Sequence, residues 1–177
     1  MEQGRRMQQG RLKKVFEIAV RVHGNQVDLG CEPYLFHVLR VAERMEGDEA
    51  WSVALLHDCL EDATADVQIR LGVLIGGLCG LRVQAAVFAL TWGWHDRHES
   101  YKAYIQRIAK NPLAVQVKLA DLQDNLDAAR LERVPRPKRD RLQARYSDAL
   151  AYLVKHGALE GDLGSIAKHC ISVKRYF

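Results

Sequence analysis

The segment ALLHDCLEDA, residues 54–63, places four ionisable side chains inside an otherwise apolar run. His57 and Asp58 form one adjacent pair, and Glu61 and Asp62 form a second pair four residues later. Charged groups are rarely fully buried unless they are paired or bind a metal. The segment is therefore either a half-exposed helix with ordinary surface charges or an active centre.

Helical periodicity dominates the rest of the sequence. Apolar residues recur at i, i+3, i+4 and i+7 in LKKVFEIAVRVH, which predicts an amphipathic helix over residues 12–23. Similar patterns predict helices over residues 33–45, 48–62, 66–71, 76–90, 101–111, 113–131 and 141–157. Asp48 is the expected N-cap of the third helix, and the tail after Gly161 could add a short one. No alternating strand with hairpin turns is found, so we expect an all-α fold.

Composition and charge narrow the function only slightly. A chain of 177 residues with 48% hydrophobic content suits one domain with a real core, here taken as residues 1–177. The net charge of +4 fits an anionic small molecule, a nucleic acid or nothing in particular. Seven basic residues between Arg130 and Arg145 could contact nucleic acid, although such a run is usually a solvated linker. Oligomeric state is not indicated.

The cysteines and the hydropathy of the sequence indicate the cellular compartment in which the protein is expected. The four cysteines form no CxxC pair, which makes a reducing cytoplasm the default expectation. No apolar segment follows the basic N-terminus, so no signal peptide is expected. The longest run of apolar residues and glycine, residues 71–81, is too short to span a bilayer. Its small residues four apart predict close packing between helices, and we expect a soluble, cytoplasmic protein with no membrane partner.

The spacing within ALLHDCLEDA indicates a division of roles. In a helix, Glu61 lies one turn beyond His57, and Asp62 lies one turn beyond Asp58. A pair typical of metal ligands is then followed on the same face by a pair of carboxylates. The carboxylate pair is suited to acting on a water molecule.

Further ligands are expected on neighbouring helices, since a divalent ion needs more than two. His37 lies in an apolar context in the second helix, and Asp121 is flanked by leucine and alanine in VKLADLQDNLD. Each alone has an ordinary explanation, as a satisfied core histidine or a surface aspartate. Together with the His57–Asp58 pair, they predict a site for a first-row divalent metal.

These motifs, H…HD…D with LLHDxxED and KLADxxxN, resemble those of the HD-domain metal-dependent phosphohydrolases. The nearest branch is the RelA/SpoT-type guanosine polyphosphate (ppGpp) 3′-pyrophosphohydrolases, including the small alarmone hydrolases. The resemblance runs over about residues 12–131 and includes EPYLFHVLRVA, YKAYIQRIAKNP and VKLADLQDNLD. It implies a single HD-domain helical bundle, with additional C-terminal helices over about residues 139–177.

The resemblance also implies roles for individual residues. By this resemblance, the metal ligands are His37, His57, Asp58 and Asp121, and manganese is the usual ion. The resemblance makes Glu61 and Asp62 the catalytic carboxylates, and it places Asn125 near the bound nucleotide.

Three further side chains are candidates by position. Lys118, three residues before Asp121, could bring an ammonium group to a phosphate, with a surface lysine as the alternative. His23, at the end of the first helix, could contact substrate, although a structural role is more usual for such a histidine. Asp124 is more typical of a solvated helix face.

The loop between the first helix and His37 differs from the corresponding loop of the alarmone hydrolases. Alarmone hydrolases usually carry a basic R-K-x-G-like stretch between the first helix and the metal histidine. Here that loop reads GNQVDLGCEPY, with Val27 and Asp28 in place of the basic pair. Val38 also follows His37 where proline is common.

The expected activity is metal-dependent hydrolysis of a phosphorylated nucleotide. Removal of the 3′-pyrophosphate from a ppGpp-like nucleotide is favoured. The alternatives are another HD-type nucleotidase or phosphomonoesterase, and a non-catalytic HD module that senses nucleotides.

Overall fold

A computed structural model describes residues 2–61, 63–94 and 96–158, with side chains from residue 8 onward. Within those ranges the chain forms helices and one isolated bridge between Val27 and Pro33. The helices are α1 (Glu2–His23), α2 (Tyr34–Glu43), α3 (Asp48–Leu56), α4 (Ala65–Cys79), α5 (Leu81–Leu90), α6 (Tyr101–Ile108), α7 (Pro112–Asn125), α8 (Ala128–Leu131) and α9 (Arg136–His156). The all-α prediction is confirmed.

Helices α3 and α7 form the centre of the molecule. Helix α3 packs against α1, α2, α5 and α7, and α7 also contacts α2 and α9. Val53, Leu55 and Leu56 of α3 are fully buried, as are Val117 and Leu122 of α7. A helix that is apolar on all sides belongs in the core. The polar residues at the ends of these two helices are therefore carried into the interior.

The predicted helix over residues 48–62 is wrong beyond Leu56. Residues 57–61 continue as tight turns, because the Cys59 N–H bonds to the carbonyl of Leu56 at 3.1 Å and the Glu61 N–H bonds to that of Asp58 at 3.3 Å. These bonds span three residues rather than four, so the α-helical ladder ends and the chain tightens. Asp62 lies outside the described residues.

Asp48 is also not the N-cap of α3. Gly47 precedes the helix at φ +81° without a side-chain cap, and Asp48 is the first helical residue. Its carboxylate pairs instead with Arg11 of α1 at 3.1 Å.

Three other boundaries differ from the sequence prediction. Residues predicted as helices 66–71 and 76–90 form α4 and α5, which meet at Gly80 with φ +90°. The predicted helix 113–131 is divided, because α7 ends at Asn125 and Asp127 caps α8 by accepting from the Arg130 N–H. Helix α9 begins at Arg136, five residues earlier than predicted. The helix expected after Gly161 lies outside the described residues.

The close packing predicted from the glycines is confirmed between α4 and α5. A methyl group on Gly72 would lie 2.7 Å from the Phe88 ring, and one on Gly76 would lie 2.6 Å from the Gln84 amide. Gln84 uses this space to donate a hydrogen bond to the carbonyl of Gly72 at 2.8 Å.

Arg107 of α6 fastens the end of α5. Its guanidinium donates to the carbonyls of Phe88, Ala89 and Thr91 at 2.8–3.1 Å. It also pairs with Glu99 at 2.7 Å, where the two side chains are only 21% and 11% exposed. The last carbonyls of a helix lack most of their partners within that helix, and this one side chain donates to three carbonyls at the end of α5.

We predict that Arg107→Met lowers the free energy of unfolding by about 2–4 kcal/mol, because it removes the hydrogen bonds to three carbonyls and the ion pair with Glu99. Urea denaturation followed by circular dichroism measures the change. The matched control is Arg70→Met, which removes an exposed arginine that pairs with Asp66 on α4. The control should change stability by no more than about 0.5 kcal/mol. Equal effects of the two substitutions would contradict the role assigned to Arg107.

Candidate functional site

Four side chains predicted as metal ligands converge at the centre of the bundle. His37 comes from α2, His57 and Asp58 from the turn after α3, and Asp121 from α7. His37 Nε2 lies 3.2 Å from Asp121 Oδ1, and His57 Nε2 lies 3.0 Å from Asp58 Oδ2 and 3.9 Å from Asp121 Oδ1. One ligand atom from each of His37, His57 and Asp58 lies within 4.8 Å of the other two.

The orientation of the two histidines fits a bound cation. His57 Nδ1 is hydrogen-bonded to the carbonyl of Ala54 at 2.7 Å, and His37 Nδ1 to Asp124 Oδ2 at 2.7 Å. Both Nε2 atoms are buried, and neither has a hydrogen-bond partner among the described residues. Buried polar atoms are normally satisfied, and two imidazole nitrogens beside carboxylates form a donor set suited to a first-row divalent ion. His37, His57 and Asp58 therefore form a candidate metal-binding site.

Opposite charges within this cluster stabilise each other's ionised forms. Burial lowers the pKa of His57, but Asp58 and Asp121 outweigh it and raise that pKa to about 9. Burial raises the pKa of Asp58, yet His57 holds it below its usual range. The Asp121 pKa is likewise low, because Lys118 and the two histidines outweigh its burial. Both carboxylates are therefore ionised and able to bind a cation.

Lys118 and Asn125 both hold the Asp121 carboxylate. Lys118 Nζ lies 2.7 Å from Asp121 Oδ2, and the Asn125 amide donates to Asp121 Oδ1 at 2.6 Å. Each is one turn away from Asp121 on α7 and lines the adjacent cavity. The structure thus brings two residues predicted to bind substrate into direct contact with a predicted ligand.

His23 lies on the cavity wall but is almost fully buried. Its Nδ1 lies 2.6 Å from the Gln26 side-chain oxygen, and its Nε2 lies 3.4 Å from the Cys59 Sγ. Its ring also contacts Tyr34, whose hydroxyl donates to Asp58. These contacts agree with the structural alternative considered for His23.

Glu61 stands at the cavity with some access to solvent. Its Oε1 accepts a hydrogen bond from the Trp92 N–H at 3.1 Å. The surrounding walls desolvate the carboxylate, and the charge of Asp58 adds to this, so the pKa of Glu61 rises to about 7. A carboxylate with such a pKa exchanges protons readily near neutral pH. The second predicted carboxylate, Asp62, lies outside the described residues.

A cavity of about 520 Å³ opens beside this cluster. Its polar wall carries Tyr34, Asp58, Glu61, Lys118, Asp121 and Asn125. Apolar side chains line another part, namely Val27, Leu29, Leu131, Val134 and Leu142. The guanidinium of Arg145 lies over the rings of Tyr101 and Tyr146, at 5.0 and 5.9 Å from their centroids. The volume is within the range of small-molecule sites.

Asp124 is the residue that the sequence analysis misjudged. Expected on a solvated helix face, it is only 1% exposed, lies 2.7 Å from His37 Nδ1 and accepts hydrogen bonds from Arg40 and Arg130. The available signal was its position about one turn after Asp121, in a helix whose apolar residues are spread over several faces. Two of its partners, His37 and Arg40, lie 87 and 84 residues away along the chain, so no local pattern shows them.

The basic run from residue 130 is partly occupied by ion pairs. Arg130 pairs with Asp28 at 3.0 Å, and Arg133 pairs with Glu32. Both pairs hold the loop of residues 24–33 against α8. Asp28, which stands where a basic residue was expected, also accepts from two backbone N–H groups of its own turn.

Comparison with known proteins supports a RelA/SpoT-type relationship. The chain is 28% identical over 122 residues to the guanosine-3′,5′-bis(diphosphate) 3′-pyrophosphohydrolase of Aquifex aeolicus, covering 65% of this chain and 17% of that protein. It is 32% identical over 126 residues to the GTP pyrophosphokinase rsh of Brucella ovis, covering 65% and 16%. It is 30% identical over 126 residues to a GTP pyrophosphokinase of Myxococcus xanthus, covering 65% and 16%.

The chain therefore spans about a sixth of the length of the curated relatives that it matches. No protein-family model matches it. Among the helices of the described residues, none has the length and apolar character needed to cross a membrane.

We predict that Asp58→Ala weakens Mn²⁺ binding at least tenfold, because metal affinity depends on the number and geometry of the ligands. Isothermal titration calorimetry on the metal-free protein measures the affinity. The matched control is Asp66→Ala, which removes an exposed carboxylate of α4 and should bind Mn²⁺ as the parent does. Thermal melting verifies that both variants fold. A folded Asp58→Ala variant with unchanged Mn²⁺ affinity would exclude Asp58 from the site.

Proposed function

We propose that this chain is a metal-dependent phosphohydrolase of the HD type that removes the 3′-pyrophosphate from a guanosine polyphosphate. The main support is the pair of buried histidine Nε2 atoms that face Asp58 and Asp121 beside a cavity of about 520 Å³. The names of the relatives, which denote ppGpp hydrolysis and GTP pyrophosphorylation, support the class of nucleotide.

His37, His57, Asp58 and Asp121 would hold the cation, and the resemblance favours manganese. A divalent ion there would supply Lewis acidity toward water and a phosphoryl oxygen. The protein's own contribution is to keep both carboxylates ionised and to hold both Nε2 atoms toward them. Lys118 and Asn125 fix the Asp121 carboxylate by binding one oxygen each.

Glu61 is the proposed general base. It accepts a proton from the attacking water, whose oxygen forms a bond to the phosphorus next to the ribose 3′ oxygen. The bond between that phosphorus and the 3′ oxygen breaks, pyrophosphate leaves, and a proton returns to the 3′ oxygen. A pKa of about 7 allows Glu61 to take up and release this proton near neutral pH. Asp62 remains a proposed partner in this step.

The rest of the cavity offers separate surfaces for the nucleotide. Trp92, Tyr101 and Tyr146 provide aromatic faces, on which a base can stack. Arg145, held over two of these rings, provides positive charge for a phosphate. The apolar wall beside Val27 and Leu131 can cover the uncharged part of the ligand.

A second candidate is phosphomonoester hydrolysis of a mononucleotide at the same centre. The observation in its favour is the loop that carries Val27 and Asp28, because Asp28 pairs with Arg130 and offers no cation of its own. A module that binds nucleotide without turnover is the third alternative.

The released product distinguishes these functions. We predict that the Mn²⁺-loaded protein releases pyrophosphate from guanosine 3′,5′-bis(diphosphate) and leaves GDP, as measured by anion-exchange chromatography. Orthophosphate release from mononucleotides with no action on the tetraphosphate would favour the second candidate. Bound Mn²⁺ without turnover of any nucleotide would favour the third. A protein that binds no Mn²⁺ and acts on none of them would refute the proposal.

We predict that Glu61→Gln retains Mn²⁺ and lowers kcat by about 10²–10⁴-fold, the usual worth of a positioned general base. Glu61 acts in its deprotonated form, so the parent rate should fall as the pH drops through the Glu61 pKa of about 7, or somewhat lower beside a bound cation. This acid limb should be lost in Glu61→Gln. The control Glu132→Gln alters an exposed carboxylate after α8 and should keep the parent profile. A Glu61→Gln variant with full rate would remove Glu61 from the mechanism.

A further inference from the structure

Asp124 is a buried carboxylate that contacts a candidate ligand from behind. Its Oδ2 lies 2.7 Å from His37 Nδ1, on the opposite side of the ring from the Nε2 that faces Asp121. Arg40 donates to both carboxylate oxygens at 2.8 and 3.1 Å, and Arg130 donates to Oδ2. Asp124 thus joins α7 to α2 and to α8 at one point.

We propose that Asp124 is a positioning residue that keeps the proton of His37 on Nδ1 and thereby directs an unprotonated Nε2 toward His57 and Asp121. This inference rests on the proposed role of His37 as a metal ligand. Ligating histidines commonly donate their other ring N–H to a carboxylate, which fixes the tautomer and the orientation of the ring. Asp124 supplies this carboxylate to His37, whereas His57 uses the carbonyl of Ala54.

The contacts favour this tautomer over its opposite. An ionised carboxylate can only accept, so the 2.7 Å contact between Asp124 Oδ2 and His37 Nδ1 requires a proton on Nδ1. Ion pairs with Arg40 and Arg130 keep the Asp124 carboxylate in its acceptor form. Arg130 Nη1 lies 3.0 Å from Nδ1, and it shares Oδ2 with the imidazole N–H as a second donor. The opposite tautomer would leave lone pairs of Nδ1 and Asp124 facing each other.

Arg130 connects this carboxylate to the cavity loop. Its Nη2 lies 3.0 Å from Asp28 Oδ2, while its Nη1 bonds to Asp124. Asp28 in turn accepts from the N–H groups of Gly30 and Glu32 at 2.8 and 3.0 Å. The ordered turn of the loop and the orientation of His37 therefore depend on the same guanidinium.

The test uses Asp124→Asn in the full chain, with Mn²⁺ alone as the probe. Loss of the charge should weaken Mn²⁺ binding by about 10–100-fold, the usual effect of removing such a carboxylate. Asp48→Asn is the matched control, because it removes a carboxylate that pairs with Arg11 of α1 and does not line the cavity, and it should bind Mn²⁺ as the parent does. Thermal melting verifies that the variants fold.

A spectroscopic measurement tests the tautomer directly and needs no change at Asp124. Long-range ¹⁵N–¹H correlation spectra of the metal-free protein distinguish protonated from unprotonated ring nitrogens, and His37→Gln assigns the His37 signals. The proposal requires a protonated Nδ1 in the parent and a smaller protonated fraction in Asp124→Asn. If Asp124→Asn does not fold, the parent spectrum alone decides.

The outcomes separate this inference from the proposed function. A parent that binds Mn²⁺, with Asp124→Asn binding it equally, would overturn the positioning role and leave the metal centre intact. An unprotonated His37 Nδ1 in the parent would overturn the positioning role on its own. A parent that binds no Mn²⁺ would overturn the metal centre and, with it, both proposals.

Discussion

The structure depends on the mutual compensation of charges inside a helical core. Asp121 is 3% exposed and stands among Lys118, Asn125 and two histidines, each of which approaches one of its oxygens. A buried carboxylate without compensating charges would be strongly unfavourable. Removing one partner of a buried ion pair therefore destabilises the fold more than replacing the whole pair by apolar residues. The packing of α2, α3 and α7 is therefore tied to the geometry of this cluster.

The helix ends explain why the cluster sits where it does. His57 is the C-cap of α3, where the last carbonyls lack partners within the helix. Its Nδ1–H bonds to one of them, that of Ala54, so the residue that ends the helix also presents Nε2 to the centre. The tight turn that follows then brings Asp58 to 3.0 Å from that Nε2. A continued α-helix would have directed Asp58 about 100° away from His57 around the helix axis.

The sequence predicted the fold class and the four converging side chains, because both depend on local patterns. Apolar residues at i, i+3, i+4 and i+7 identify a helix, and an ionisable residue within an apolar run is visible without knowledge of its neighbours. The break at Gly80 and the role of Asp124 could not be predicted in the same way. Gly80 ends a run that remains apolar on both sides, and the partners of Asp124 come from α2 and α8. Contacts between helices determine the helix break at Gly80 and the role of Asp124. A local sequence pattern does not show such contacts.

The charges around the cavity suggest a second role for a bound cation. Asp28, Asp58, Glu61 and Asp121 line the cavity together with Lys118, Arg130 and Arg145. Lys118 forms an ion pair with Asp121, and Arg130 forms ion pairs with Asp28 and Asp124. The positive charges of Lys118 and Arg130 are therefore largely neutralised within the protein. Such a wall repels a polyanion unless positive charge is added. Under the proposed function, a divalent ion would therefore contribute to the affinity for the nucleotide as well as to reactivity, and it would contribute more for a nucleotide with several phosphates than for one with fewer.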